Sequence, residues 1–457
     1  MSIRLSPVTI PDFGPIDEPP PLPAERYASR CDAALAAAGT NWLIVYADRE
    51  HMANVMFLSG FEPRFEEALL LIGRDGTRVL ITGNECVPYA TRAALPGLVV
   101  HLSQTMSLLG QDRTAAPRLT DVLRAAGVRR GASVGIVGWK YLDETEWDRD
   151  ADGPPPPFMP AAYLGAIVAV AGADGVCDRT EVLLHPEHGQ RSIIDADQIA
   201  VFEAAAARGS AMVWSILSKL RPGDSERAGA ARMGYGGDPF NVHAMLASGS
   251  PSDGSVIGLA SPGARVLRKG DGVSTAVGLW GGLTARAGLL DDANDAFVAI
   301  ASAYFAGLLA WYRHARIGCT GTALHDPVVA ALASGGLRSL LNPGHLTGHE
   351  EWSHTPVRPG SVDRLRSGMH VQVDVIPTPM PDGWALNCED SIVLADAKLR
   401  AELTERHPTV AARIAARRRF MIDVIGAEVD EAVLPLSTTP LCLPPLWLRS
   451  SMLLTCA

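Results

Sequence analysis

The chain has 457 residues, of which 47% are hydrophobic and 20% are charged, a composition typical of folded domains rather than of disordered chains. This length predicts two or three domains. The net charge of −10 argues against a general nucleic-acid or anionic-membrane surface, and the lack of about eighteen consecutive apolar residues argues against a membrane span.

The first part of the chain shows the alternation of an α/β domain. Ala24 to Ala38 is rich in alanine and contains no helix breaker, which predicts a helix. The short apolar run Trp42 to Tyr46 predicts a buried strand. Ala68 to Ile72 and Arg78 to Ile81 flank an Asp-Gly turn signal and predict a hairpin.

A domain boundary is expected near residue 190. The tract Asp152 to Pro157 contains four prolines, which remove backbone donors and fix φ, so it predicts a loop or edge connection inside the first domain. The apolar run Val182 to Leu184 precedes the polar segment His188 to Arg191. We therefore expect one domain over residues 1–190 and a second over 191–457.

The second domain is predicted to begin with a long helix. An aliphatic stripe starts after Asp195, and Arg221-Pro222-Gly223 ends it. From Leu434 the chain is apolar but too rich in proline for regular structure. This tail needs a surface to cover, either on its own domain or on a partner subunit.

The cysteines and the N-terminus favour a reducing cytoplasm. Seven cysteines are widely spread and form no Cys-x-x-Cys pair, which is unlike a secreted disulfide framework. The first residues lack the apolar core of a signal peptide. Cys388 beside Glu389 is interpreted as a small buried hydrophobe rather than as a nucleophile.

One imidazole and two carboxylates follow one another in an order that hydrolytic sites use. His345 lies in Asn-Pro-Gly-His-Leu-Thr-Gly, Asp374 ends a β-like run after Ser-Gly-Met, and Glu389 lies in Cys-Glu-Asp. These segments resemble the Gly-His-x-x-Gly, Gly-Met-x-x-x-x-Glu and Glu-Asp motifs of the pita-bread family, which includes creatinase, prolidase and aminopeptidase P. Glu50 to Asn54 and Leu58 to Phe61 are similar to the creatinase N-terminal domain.

The resemblance implies an α/β fold class, with a creatinase-like N-terminal α/β domain followed by a C-terminal pita-bread α+β domain. Metallopeptidases of this family carry two metal-binding aspartates eleven residues apart. With Gly278 matched to the family glycine, Ala276 and Ala287 stand at those positions. Alanine has no lone pair to give a metal. We therefore expect no dinuclear centre and no cofactor, as in the metal-free creatinase branch.

The histidines after this motif leave two interpretations open. His349 and His354 look like the ends of a helical His-Glu-x-x-His zinc motif, but the spacing is one residue too long and would place them about 140° apart around a helix. The glycines around His345 argue for a loop instead. By resemblance, His354 matches a second family histidine that contacts substrate; the alternative is a structural loop histidine.

Two further side chains are candidate substrate-binding residues. Creatinase carries its main catalytic histidine shortly after a Ser-Gly, and the corresponding stretch from Ala247 to Gly258 contains none. His243 precedes that loop and is either a substrate-binding residue or a core histidine. Arg286 would point near the vacated metal positions and bind a substrate carboxylate, or else lie on the surface.

The functional hypothesis is a metal-independent, creatinase-like hydrolase that cleaves a C–N bond in a small carboxylate-bearing molecule. Its catalytic residues would be His345, His354, Asp374 and Glu389. Alternatives are an Xaa-Pro metallopeptidase with one metal at His345, Asp374 and Glu389, and a non-catalytic binding protein on the same fold. No nucleotide-binding motif is present. The resemblance and the apolar tail predict a homodimer with a small-molecule substrate.

Overall fold

The computed structural model describes residues 2–19, 21–144, 146–147 and 156–457. The chain divides into two compact units, one of Leu22–Ser192 and one that combines Met1–Pro21 with Ile193–Ala457. The first 21 residues thus lie with the C-terminal unit instead of opening the first domain, because strand β1 (Ile3–Pro7) pairs with strand β17 (Met452–Cys456). Most of the predicted loop at Asp152 to Pro157 lies outside the described residues.

The unit of residues 22–192 is an α/β domain built on one mixed sheet with the strand order β5-β4-β3-β2-β6-β7. Its strands are β2 (Trp42–Ala47), β3 (Ala68–Gly73), β4 (Arg78–Thr82), β5 (Val99–Leu102), β6 (Val134–Val137) and β7 (Val176–Asp178). Its helices are α1 (Ala24–Ala38), α2 (Ala53–Ser59), α3 (Cys86–Tyr89), α4 (Leu119–Ala126), α5 (Ala161–Ala171) and α6 (Glu181–Leu184).

The predicted helix and hairpin occur at the expected positions in this unit. Helix α1 ends at Gly39, whose φ of 67° is readily adopted by glycine. Strands β3 and β4 pair antiparallel with Leu70 opposite Leu80. All six residues of β2 are buried, which agrees with the continuous apolar run that predicted a central strand.

The second unit is an α+β domain around an antiparallel sheet with the order β12-β13-β15-β10-β9-β8, and β16 also pairs with β15. The remaining strands are β8 (Met245–Gly249), β9 (Gly272–Leu279), β10 (Gly282–Leu289), β11 (Arg338–Ser339), β12 (His345–Leu346), β13 (His370–Val373), β14 (Pro377–Thr378), β15 (Asn387–Leu394) and β16 (Val433–Pro435). The helices are α7 (Ala196–Lys219), α8 (Glu226–Ala231), α9 (Asp295–His314), α10 (Gly321–Ser334), α11 (Ala397–Arg406) and α12 (Pro408–Phe420).

Two helices of this unit, α7 and α9, are long and apolar enough to cross a membrane by length and composition alone. In α7, 72% of the apolar window is buried inside the fold, and in α9 the buried share is 50%. Helix α7 begins at Asp195, whose side chain accepts a hydrogen bond from the Gln198 N–H, and it supplies core residues such as Phe202. A buried core helix can have the same length and apolar composition as a membrane-spanning helix.

The apolar tail packs on its own unit. Leu443, Leu446 and Leu454 are buried in the same core cluster as helix α9. Strand β17 closes the tail by pairing with β1. Of the two interpretations of this segment, coverage of the chain's own core is the one found, so the tail offers no apolar surface that argues for a partner subunit.

A fully buried ion pair joins the central strands of this sheet. The Arg286 Nη2 atom lies 2.9 Å from both carboxylate oxygens of Asp390. The same guanidinium donates to the carbonyl oxygens of Glu389 at 2.7 Å and Cys442 at 2.8 Å. It therefore connects β10, β15 and the segment after β16.

The structure corrects the prediction that Arg286 faces the vacated metal positions. Ala285 lies opposite both Glu389 and Ala276 in the sheet, so these side chains share one face. Ala287, two residues further along the strand, projects from that face as well. Because neighbouring residues of a strand point to opposite faces, Arg286 projects from the other face. It is an internal structural residue, committed to Asp390.

Replacing Arg286 by Met should lower stability sharply. The change leaves the Asp390 carboxylate buried without its cation, and we expect the free energy of unfolding to fall by about 3–5 kcal/mol. Urea denaturation followed by circular dichroism measures this. The control is Arg227→Met on an exposed position of α8, where the expected change is within about 0.5 kcal/mol. An R286M variant of unchanged stability with a weaker affinity for substrate would instead restore the substrate-binding role.

Candidate active site

The register of the sheet brings together the three residues that the motifs singled out. His345 on β12 lies opposite Gln372 on β13, and Gln372 lies opposite Ser391 on β15. Val373 pairs with Asp390, so the next residues in the same register are Asp374 and Glu389. One face of the sheet therefore carries the imidazole and both carboxylates.

A third carboxylate joins this group from the loop after β12. The Glu351 Oε1 atom lies 3.1 Å from the His345 Nε2 atom. One ligand atom each from His345, Glu351 and Glu389 lies within 4.8 Å of the other two. The four residues His345, Glu351, Asp374 and Glu389 are called the acidic cluster below. Their side chains form the candidate active site.

The two strand carboxylates of the acidic cluster are buried. Asp374 is 7% exposed and Glu389 is 5% exposed. The Asp374 Oδ1 and Glu389 Oε1 atoms have no hydrogen-bond partner among the described residues. Buried carboxylate oxygens normally find a donor, so these two atoms are available to a substrate, a water molecule or a cation.

Burial and neighbouring charges raise the pKa values of Asp374, Glu389 and His345. Burial raises the pKa of Asp374 to about 6, with His345 opposing the shift and Glu351 adding to it. Burial, followed by Asp374 and Glu351, raises the pKa of Glu389 well above its ordinary value. Burial lowers the pKa of His345, but the Glu351 and Asp374 carboxylates outweigh that effect and raise it.

Tyr304 of α9 holds the two carboxylate-bearing segments at a fixed separation. Its hydroxyl donates to the Val375 carbonyl oxygen at 2.8 Å and accepts from the Cys388 N–H at 3.0 Å. Val375 follows Asp374, and Cys388 precedes Glu389. One buried hydroxyl thus connects the backbones on which both catalytic candidates lie.

The loop before His345 is shaped by a close approach to the core. Gly344 has a φ of 121°, a backbone conformation that residues other than glycine rarely adopt. A Cβ atom there would lie 3.0 Å from the Gln372 carbonyl oxygen and 3.2 Å from the Trp311 ring nitrogen. The Trp311 ring N–H donates to the Pro343 carbonyl oxygen at 2.7 Å. These contacts direct His345 onto the sheet.

Ala276 and Ala287, which the sequence resemblance matches to the family metal positions, lie on the same face as the acidic cluster. Ala276 is packed in a small buried group with Met245, Leu283 and Ala285. Ala287 lies opposite Asn387, two residues from Glu389 on its strand. The surroundings of Ala276 are therefore apolar, whereas Ala287 lies between Ser274 and Asn387.

Two predicted site histidines lie outside the acidic cluster. His243 is exposed in the loop before β8, and its Nε2 atom lies 2.8 Å from the Leu259 carbonyl oxygen. His354 is buried, and its backbone pairs with Leu346, the neighbour of His345. The His354 ring stacks on Trp352 at 6.2 Å. Their roles in substrate binding and catalysis stay predictions.

Sequence reasoning missed Glu351 as a site residue. It lies in the Glu-Glu pair between His349 and Trp352, in a segment whose sequence resembles a helical zinc motif. The segment is irregular instead, and it folds back on β12. Two consecutive glutamates within six residues of His345 were the available signal.

A second histidine also lies on this face. His370 of β13 is buried, and neither ring nitrogen has a partner among the described residues. Burial, with a smaller contribution from His345, lowers the pKa of His370 to about 3, so the ring is neutral. It packs against Phe202 at 5.2 Å between ring centroids. Its alternation with Gln372 and Asp374 along the strand could have revealed it.

No family model and no curated protein sequence matches the chain. Solved structures do match it. The Xaa-Pro dipeptidase from Bacillus anthracis is similar with a TM-score of 0.60 and 17% identity, covering 82% of this chain and 96% of its own. Recombinant prolidase from Thermococcus sibiricus has a TM-score of 0.62 and 17% identity, with coverages of 82% and 96%.

The X-Pro aminopeptidase from Thermotoga maritima MSB8 is similar with a TM-score of 0.62 and 15% identity, covering 81% of this chain and 95% of its own. Identities at this level establish the fold and leave the activity to be argued from the site. The chain has the fold of these proteins, in which a creatinase-like N-terminal α/β domain is followed by a C-terminal pita-bread α+β domain.

Proposed function

We propose that the protein is a hydrolase that cleaves a C–N bond in a small carboxylate-bearing substrate. The observation that carries the proposal is the convergence of Asp374 and Glu389, both buried and each with an unpartnered oxygen, beside His345. Burying carboxylates without partners lowers the stability of a fold, and such groups are found mainly at functional sites. The convergence argues against the non-catalytic alternative.

The chemistry required of these residues is proton transfer. Water attacks the carbon of the C–N bond, the C–N bond breaks, and the nitrogen leaves with a proton. Asp374 and Glu389 exchange protons with the attacking water and the leaving nitrogen, and His345 assists as an acid or base. His354 is proposed to contact the substrate, as the family resemblance implies.

The substrate class rests on the resemblance to creatinase and the prolidases. Arg286 does not supply the carboxylate-binding cation, since it is committed to Asp390 on the other face of the sheet. N-substituted amino acids and Xaa-Pro dipeptides are therefore the two panels to test. Both present a C–N bond close to a carboxylate.

Two versions of this proposal differ in what activates water. In the first, expected from the missing aspartates, the acidic cluster works without a metal. In the second, an Xaa-Pro peptidase type of chemistry uses one divalent ion. The close approach of His345, Glu351 and Glu389 favours the second version, since imidazole and carboxylate are ligands of such ions. A bound ion of this kind supplies a Lewis acid and a water of lowered pKa.

Replacing Glu389 by Gln should reduce turnover by roughly 10²-fold or more with the fold intact, because the amide keeps the size of the side chain and loses the proton-exchanging group. The measurement is the rate of amine or amino-acid release from both substrate panels, with the circular dichroism spectrum as the check on folding. The matched control is Asp382→Asn, an exposed carboxylate between β14 and β15, which should leave turnover unchanged. Unchanged turnover in the Gln variant would reduce Glu389 to a structural residue.

The resemblance also leads us to propose a homodimer. Light scattering at micromolar concentration should give the mass of two chains. A mass of one chain would contradict this proposal without affecting the site.

A further inference from the structure

The donors of the acidic cluster have the spacing of a single ion's ligands. Bonds from a transition-metal ion to nitrogen or oxygen are about 2.1 Å long, which places neighbouring ligand atoms about 3–4 Å apart. The His345 Nε2 and Glu351 Oε1 atoms are 3.1 Å apart, and the Glu389 donor lies within 4.8 Å of both. A small movement of the Glu389 side chain would bring all three ligand atoms within bonding distance of one ion.

Unpartnered oxygens give independent support for a cationic ligand. Asp374 and Glu389 are more than nine-tenths buried, and each has one oxygen without a hydrogen-bond partner among the described residues. Three carboxylates face one imidazole here, so full ionisation of the carboxylates would leave excess negative charge even with His345 protonated. A divalent cation would offset this negative charge and bond the free Glu389 oxygen.

The position of Glu351 suits the entry of an ion. Its side chain is 28% exposed, whereas His345 and Glu389 are buried, so it lies at the solvent side of the cluster. Glu351 lies in the irregular segment after β12 and not on a strand of the sheet. A loop carboxylate can therefore supply a ligand where Ala276 and Ala287 supply none.

The geometry points to one divalent transition-metal ion bound by His345, Glu351 and Glu389, with Glu351 as a ligand contributed by this chain's own loop. Asp374 lies beside this ligand set and remains available as a base. Ala276 and the residues it packs against, Met245, Leu283 and Ala285, offer no carboxylate or imidazole for a second ion. This inference rests on the proposed function for its catalytic meaning, but its test is binding and not turnover.

The experiment is a titration of the chelator-treated full-length protein with Mn²⁺, followed by isothermal calorimetry and by electron paramagnetic resonance of the bound ion. We expect one Mn²⁺ per chain and a higher unfolding temperature with Mn²⁺ present. E351Q should weaken binding by about tenfold or more, because it replaces an anionic ligand by a neutral amide. The matched control, E350Q, changes the adjacent residue and should stay within about threefold of the unsubstituted protein.

Each outcome decides the inference separately from the proposed function. Two ions per chain, no bound ion, or an E351Q variant with unchanged affinity would each overturn it. Electron paramagnetic resonance of the unsubstituted protein gives the number of bound ions. This part of the test does not depend on how well a variant folds. If no Mn²⁺ binds and Glu389-dependent turnover persists, the inference fails and the metal-free hydrolase stands. If one Mn²⁺ binds and neither substrate panel is turned over, the inference stands and the proposed function fails.

Discussion

The buried pair of Arg286 and Asp390 is the interaction on which the site depends most directly. It ties β10 to β15 on one face of the sheet, and the same two strands present Ala285 and Glu389 on the other. Since side chains alternate along a strand, fixing Arg286 inside the core also fixes Glu389 toward the site. A buried ion pair contributes little net stability, but removal of one partner is costly, which makes this arrangement hard to lose.

The acidic cluster is electrostatically unfavourable, and the surrounding fold has to hold it in place. Burial of Asp374 and Glu389 raises the pKa of both groups, and their proximity to Glu351 raises them further. The fold holds them in place through backbone contacts, above all the Tyr304 hydroxyl between Val375 and Cys388. Rigid support of this kind is what keeps reactive groups in position when their own interactions are unfavourable.

The site has a polar part and an apolar part. His345 and Glu389 share one face of the sheet, and Ala276 forms an apolar group with Met245, Leu283 and Ala285 on that face. A shared fold therefore determines little of the chemistry, which depends on the side-chain atoms present in the site. Glu351 adds a carboxylate to these atoms from the loop after β12.

The amino-acid sequence by itself determined the helix at Ala24–Ala38, the hairpin of β3 and β4, and the placing of His345, Asp374 and Glu389 in one motif order. These features depend on local periodicity and turn residues, which are readable along the chain. The sequence could also have predicted the direction of Arg286, because neighbouring residues of a strand point to opposite faces and Arg286 is next to Ala287. It could not have predicted that Asp390 is the partner of Arg286. Only the tertiary structure decided that pairing, the approach of Glu351 to His345, and the packing of the tail on its own unit, because each depends on contacts between segments that are distant in the chain.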